Sequence, residues 1–538
     1  MAKTDSAASS EPPGVCLAKL RFAGGADKRR EGTIVALKKH TQRRNPMIDI
    51  EAMPYIADIP PVQAQLRPTE TALWFEGKAT SFADLETRTN QIANGLLDLG
   101  LQPGDRVGYL AKNTDVYYEI LFGCAKSRTV MTGVNTRLAP PEVKFILSDA
   151  QTRVLFVGKD FYGLIDQIKD ELPDLTRIIT LDGDREDWDY FPAWRDSRSS
   201  DPPGIAVQGD DDVIQLYTSG TTGLPKGVQL TNDNYRAFFT QAGMLEWSSY
   251  DVGEAIMNAM PQFHVAGVNV GILACLQGAK TVILREIDPG LILKLIPEHR
   301  IAHAFWVPAV ILMLTQQPAI RETDFSSLKQ VFYGASPISE ALLRTAVEIM
   351  GARFTQLYGL TETVGAGTFL PPEAHDPSWG KLRSCGVPWP GAVVRVVDGE
   401  GKPVPTGEVG EIVIKSGFVM KGYWNRPEAT QDAVRNGFFH TGDAGYFDED
   451  GFLYIHDRVK DMIVSGGENV YPAEVENAIF GAPGVADVAV IGVPDEKWGE
   501  AVKAIVVKKP GEDPSPESII AWAKDHIAAY KAPKSVDF

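Results

Sequence analysis

The sequence predicts an α/β protein: a large N-terminal body of two α/β subdomains, a β-rich barrel-like part, and a small C-terminal α+β domain. Three observations carry that expectation. From about Tyr55, buried-strand signals alternate with amphipathic helix signals, which marks a parallel sheet covered by helices. Beyond about Thr363 the helices give way to β-rich pieces set between Gly and Pro turns. The length, 538 residues at 44% apolar, supplies two to four folded units with sizeable cores.

The elements follow in order. SFADLETRTNQIANGLLDLGLQPG reads as a helix, with Ser81 as N-cap, Leu85, Ile92, Leu96 and Leu97 on one face, and Gly100 as its stop. RVGYLAK is a buried strand, VYYEILFGCAKS a helix, TVMTGVN and RVLFVGK further strands, and EVKFILSDA the helix between them. The polar stretch 177–212 reads as a surface connection. Alternation resumes at Val213 and runs to about Thr363. AVVRVVD, GEVGEIVIK and GFLYIHD are the β-rich pieces. DRVKDMIVSGGENVYPAEVENAIF, VADVAVIGVP, AVKAIVVKK and SPESIIAWAKDHIAAY then form the last α+β module. The apolar run AFWVPAVILMLT (304–315) is too short to span a bilayer and contains Pro308, so it is a core segment.

Charge and composition exclude several function classes. With 53 Lys+Arg against 70 Asp+Glu the net charge is −17, which argues against a nucleic-acid partner or an anionic membrane. Four scattered cysteines (Cys16, Cys124, Cys275, Cys385) form no CxxC pair, so neither a disulfide framework nor a zinc site is expected, and the chain reads as reduced and cytoplasmic. There is no secretory signal pattern. Residues 1–46 stand apart. They hold ten Lys/Arg and four Asp/Glu, a net of +6, which leaves −23 for residues 47–538. They are expected to be a disordered extension, with folded sequence beginning at Met47.

VIQLYTSGTTGLPKGVQLT (213–231) carries the chemistry. Two strand-like runs flank a loop dense in Gly, Thr and Ser with one Lys. Successive backbone N–H groups in such a loop can make an anion-binding nest; Thr218, Ser219, Thr221 and Thr222 add hydroxyl donors, and Lys226 adds a point charge. Gly220 and Gly223 admit a ligand that a Cβ would block. Read locally, this is a phosphate binder. A plain glycine-rich hairpin would look similar. The Gly and Lys spacing does not fit the G-x-x-x-x-G-K-[ST] loop, and a strand rather than a helix follows.

YTSGTTGLPKG resembles the AMP-binding signature of the acyl-adenylate-forming superfamily. MPQFHVAG (260–267), VFYGASPI (331–338), QLYGLTET (356–363), GYWNRPEAT (422–430), GFFHTGD (437–443), DRVKDMI (457–463) and SGGENVYPAEVE (465–476) resemble its further motifs in the same order. The chain is thus identified, over roughly 55–538, as a member of that superfamily, of the acyl-CoA synthetase type.

The resemblance implies a two-step reaction: a carboxylate attacks the α-phosphate of ATP to give acyl-AMP and pyrophosphate, and the thiol of CoA then displaces AMP. Thr218, Ser219, Gly220, Thr221, Thr222, Gly223 and Lys226 would hold the β- and γ-phosphates, and Glu362 would carry Mg²⁺. Thr361 would donate to the α-phosphate, Tyr358 would stack on adenine with Gln356 at its edge, and Asp443 and Arg458 would contact the ribose. His264 would sit where the substrate carboxylate meets the acyl tunnel, with Val268, Trp306, Gly334, Ala335, Gly359, Gly365 and Gly367 lining the pocket. Lys460 would be the hinge residue, and Ser465, Gly466 and Gly467 would face the CoA thiol. Alone, Glu362 is an ordinary surface carboxylate and His264 an ordinary core histidine; the motif context promotes them.

The implied layout is an N-terminal domain over 47–456, a hinge at 457–460 and a C-terminal domain over 461–538. The family's adenylating lysine lies in a Gly-Lys loop after a segment like YKAPKSVDF, which this sequence reaches only in part; Lys531 and Lys534 precede it. The expected partners are a small carboxylic acid, ATP and CoA, with no nucleic acid, no transmembrane segment, and room for a homodimer. Two alternatives stay open: a free-standing adenylation enzyme that loads a carrier protein, and a non-catalytic nucleotide or acyl-adenylate binder.

Overall fold

The computed structural model describes residues 50–183, 185–218, 224–458, 463–465, 468–470, 472–495, 499–527, 529 and 531–538. Two large sheets form the body. In the first, Asp212–Thr218, Val130–Gly133, Arg106–Leu110, Thr152–Val157 and Arg177–Thr180 lie side by side and parallel. All five residues of Arg106–Leu110 are buried, so RVGYL shows no polar alternation. Helix Phe82–Asp98 begins as the sequence predicts: the Asp84 N–H donates to Ser81 Oγ at 3.0 Å, and the Ser81 N–H donates back to the Asp84 carboxylate.

The polar stretch 177–212 is more than a connection. Arg177–Thr180 extends the sheet, and the short helix Phe191–Asp196 packs Phe191 and Trp194 against Phe156. Two buried aromatics outweigh a charged local composition.

The second sheet has nine strands, with Thr71–Phe75, Lys280–Ile283, Ala255–Asn258, Ile301–Trp306, Gln330–Gly334 and Arg353–Tyr358 parallel at its centre. Trp306, Ile311, Leu314, Tyr333 and Phe354 pack into one core over it. AFWVPAVILMLT divides between strand Ile301–Trp306 and helix Pro308–Thr315, because Pro308 fits the first helical turn and no strand interior. Hydrogen bonds tie the halves of the body together. The Tyr118 hydroxyl donates to the Gly267 carbonyl at 2.6 Å, and the Asn113 amide donates to the carbonyls of Met260 and Leu284.

The β-rich part is a five-stranded sheet built on Val393–Val397, Gly410–Lys415 and Phe438–Phe447, with Leu453–Arg458 antiparallel to the last. The C-terminal domain is a second five-stranded sheet with helices Pro472–Phe480 and Pro516–His526, around a core of Val475, Ile479, Val502, Ala504 and Ile519. Cys124, Cys275 and Cys385 are buried free thiols, and burial pushes each up to about 12, so they pack as small hydrophobes. Among the described residues, no helix is long and apolar enough to cross a membrane.

Candidate active site

The carboxyl ends of parallel strands from both sheets converge on one place, the usual position of ligands in such folds. Thr218 ends the strand Asp212–Thr218 of one sheet, and Tyr358 ends Arg353–Tyr358 of the other. Strand Lys226–Thr231 returns antiparallel, with Thr218 opposite Lys226, so the Gly/Thr loop leaves from a fixed pair. Ser219, Gly220, Thr221, Thr222 and Gly223 themselves lie outside the described residues.

The base of this hairpin is pinned by charge. The Arg106 guanidinium donates to Asp212 at 3.1 Å and to Gln215 Oε1 at 3.1 Å, and lies 3.3 Å above the Trp424 ring. Asp149 accepts from the Tyr217 hydroxyl at 2.8 Å and from Arg426 at 2.5 Å. Buried charges held by several bonds at once fix geometry more than they add stability. Here they join the hairpin to the segment that presents Tyr423.

Glu362 lies in the short turn Thr361–Thr363 and is 7% exposed. Its Oε1 accepts from the Thr218 hydroxyl at 3.3 Å and from the Tyr423 hydroxyl at 2.9 Å. The backbone is strained just beyond it: Val364, a β-branched residue, has φ +53°. The Asn269 amide donates to the Val364 carbonyl at 2.9 Å, and the Tyr235 hydroxyl donates to Asn269 Oδ1 at 3.2 Å. Those two bonds hold the strained turn, and with it the glutamate.

Tyr358 is buried and donates its hydroxyl to Asp443 Oδ2 at 2.6 Å. Burial and the Asp443 charge drive its pKa well above the ordinary phenol value, so it stays a donor. Gln356, two residues earlier on the same strand, has a buried amide oxygen with no hydrogen-bond partner among the described residues. An orphaned acceptor beside an aromatic ring suits the exocyclic amino group of adenine. Arg458 pairs through its backbone with Asp443; its side chain lies outside the described residues, as do Lys460, Gly466 and Gly467. Ser465 is buried on strand Ile463–Ser465.

His264 caps the N-terminus of helix Val265–Leu276 and reaches solvent, yet the walls around it desolvate the ring. That desolvation, with Arg137 as the second cause, lowers its pKa from the usual histidine value. The imidazole is therefore neutral at pH 7 and can donate through one N–H.

The positions expected to line the pocket differ in their surroundings. Val268 and Trp306 are 0% exposed and packed in the interior. Gly334 and Gly359 are small for a backbone reason. A Cβ at Gly334 would strike the Leu357 carbonyl of the adjacent strand, and one at Gly359 would strike the Gly365 backbone. Ala335 is exposed at φ +67°, and a Cβ at Gly365 would lie 3.5 Å from Val265. Gly367 lies against Ile414 and the Tyr358 carbonyl. Thr361 is half-buried beside Glu362.

Tyr423, Asn269 and Arg106 also hold the geometry around Glu362 and the hairpin, and of these only Tyr423 lies in a motif, GYWNRPEAT.

The donor set fits a magnesium nucleotide. Among the described residues no group of three or more His, Cys, Asp or Glu could hold an ion by itself. One buried carboxylate beside the Thr218 hydroxyl suits a Mg²⁺ that arrives on phosphate oxygens.

A parallel α/β body with a hydroxyl- and lysine-bearing hairpin over one buried glutamate, and a small domain following it, is the layout of an ATP-using ligase. The family described as AMP-binding enzyme matches residues 61–424, and the AMP-binding enzyme C-terminal domain matches 474–538. A fatty acid–[acyl-carrier-protein] ligase of Streptomyces coeruleorubidus is 42% identical over 481 residues, 88% of this chain and 91% of that protein. A feruloyl-CoA synthase of an Amycolatopsis species is 38% identical over 478 residues, 88% and 93% of the two chains. The solved Mycobacterium tuberculosis fatty acyl CoA synthetase superposes with a TM-score of 0.74 at 36% identity, over 90% of this chain and 94% of that one. The chain belongs to the AMP-binding enzyme family, and within it to the acyl-CoA synthetase type. It is an AMP-forming acid–thiol ligase that uses ATP and Mg²⁺.

Proposed function

We propose that the acid is a hydrophobic one, fatty or aryl, and that CoA is the acceptor. The apolar ground behind His264 carries this reading. Helix Val265–Leu276, which starts beside His264, has no charged residue, and Val265 and Ala266 in its first turn are only half-buried. The named substrates of the fatty-acid and feruloyl relatives support it.

In this proposal Thr218, Lys226 and the intervening loop hold the β- and γ-phosphates. Tyr358 and Gln356 seat the adenine, while Asp443, with Arg458, accepts from the ribose hydroxyls. Thr361 donates to the α-phosphate. His264, neutral, positions the acid's carboxylate for in-line attack. Glu362 holds Mg²⁺, which when bound neutralises charge on the phosphate oxygens. A carboxylate oxygen bonds to the α-phosphorus as pyrophosphate leaves; the CoA sulfur then bonds to the acyl carbon as AMP leaves with that oxygen. Residues 47–456 form the catalytic body, 457–460 the hinge with Lys460, and 461–538 the domain that brings Ser465, Gly466 and Gly467 to the thiol. Placement in the cytoplasm belongs to the proposal and is supported by the buried free thiols. A homodimer is its assembly.

The 42%-identical carrier-protein ligase favours a second reading, transfer to a carrier phosphopantetheine. AMP release should be measured over short, long and aryl acids, with CoA and with a holo-acyl carrier protein as acceptors. The proposal expects CoA-dependent turnover on long or aryl acids and little on acetate. Turnover with the carrier alone would replace it with the second reading.

A further inference from the structure

We propose that Tyr423 is a positioning residue for the metal-dependent step, joining the magnesium carboxylate to the phosphate-facing lysine through one side chain. It rests on the reading of Glu362 as the metal carboxylate. The hydroxyl of Tyr423 donates to Glu362 Oε1 at 2.9 Å, the same oxygen that accepts from Thr218. Its ring lies 5.0 Å from Lys226 Nζ, within range of a cation–π contact.

The backbone supports this placement. Gly422–Tyr423 pairs antiparallel with the hairpin strand that carries Lys226, Tyr423 opposite Val228. The Tyr423 N–H donates to Thr430 Oγ1 at 2.9 Å, which ties the middle of the next helix, Pro427–Ala433, to it. The neighbouring Trp424 is clamped between the Arg106 guanidinium and the Asp149 carbonyl. A side chain bound on both flanks loses little entropy in holding its hydroxyl on the carboxylate. With two donors converging on one oxygen, the rotation of the Glu362 carboxylate is set before any ion arrives. A tyrosine that merely packed would satisfy neither charge.

The test uses the full chain and reads AMP release against free Mg²⁺ at saturating ATP, acid and CoA. It also reads, without turnover, Mn²⁺ affinity by electron paramagnetic resonance in the presence of a non-hydrolysable ATP analogue, which Tyr423→Phe should weaken by the same factor as it raises the Mg²⁺ requirement. Tyr423→Phe deletes only the hydroxyl and keeps the ring over Lys226. It should raise the free Mg²⁺ for half-maximal rate about ten-fold, the scale of one hydrogen bond to a charged group, with a near-normal rate at saturating Mg²⁺. Tyr423→Leu, which also removes the ring, should add a rise in KM for ATP. An unshifted Mg²⁺ dependence in Tyr423→Phe, or a loss by the same factor at every Mg²⁺ concentration, would overturn the proposal. Glu362→Gln run alongside separates the two claims. If it keeps the wild-type Mg²⁺ dependence, the reading of Glu362 fails; if it loses activity while Tyr423→Phe is unshifted, only the role of Tyr423 fails.

Discussion

Glu362→Gln should lower AMP-forming turnover by about two orders of magnitude or more while leaving the melting temperature within a few degrees of wild type. A carboxylate that helps hold Mg²⁺ stabilises transition-state charge by several kcal/mol, and an amide of the same shape cannot. The fold survives because the amide oxygen can still accept from Thr218 and Tyr423, the two donors on Oε1. Steady-state AMP release at several Mg²⁺ concentrations checks this. Wild-type rates at equal Mg²⁺ would remove Glu362 from the site.

Gly359→Ala should be nearly as damaging, by a different route. The added Cβ meets the backbone of Gly365 and Ala366, and neither can rotate away as a side chain can. Overpacking of this kind costs about 1–3 kcal/mol even where side chains can give. The clash falls at the mouth of the turn that presents Glu362, already strained at Val364 with φ +53°. Activity should therefore fall for every acid alike, together with a lower melting temperature. A changed preference among acids at unchanged stability would instead restore Gly359 as a wall of the acyl pocket.

The two glycines show where a linear reading stops. A small residue in a recognisable motif looks like room for substrate. Only the register of Arg353–Tyr358 against Gln330–Gly334 shows that Gly334 is needed because the Leu357 carbonyl lies where its Cβ would be. The strands flanking 219–223 and the cap at Ser81 were legible because local spacing determines them, whereas Glu362 stood out only through its motif, QLYGLTET. Tyr423 and Glu362 are 61 residues apart and meet through sheet pairing, and Arg106 reaches Asp212 across 106 residues. Asn269, the amide residue of an otherwise apolar helix, holds the strained turn 95 residues away. Trp306, expected from the resemblance to line the pocket, is completely buried in the core of the second sheet. In the stretch 177–212, charge density hid two aromatics that commit the segment to the first sheet.

The measurement that tests the account most directly follows an oxygen atom. In the proposed reaction the acid's carboxylate lies against the α-phosphate, so the bond formed joins a carboxylate oxygen to the phosphorus that becomes AMP. An acid labelled with ¹⁸O in both carboxylate oxygens, turned over with ATP, Mg²⁺ and CoA, should yield AMP carrying one ¹⁸O and unlabelled pyrophosphate, read by mass spectrometry. Label in inorganic phosphate with ADP as the nucleotide product would mean attack at the γ-phosphate, and would contradict the account.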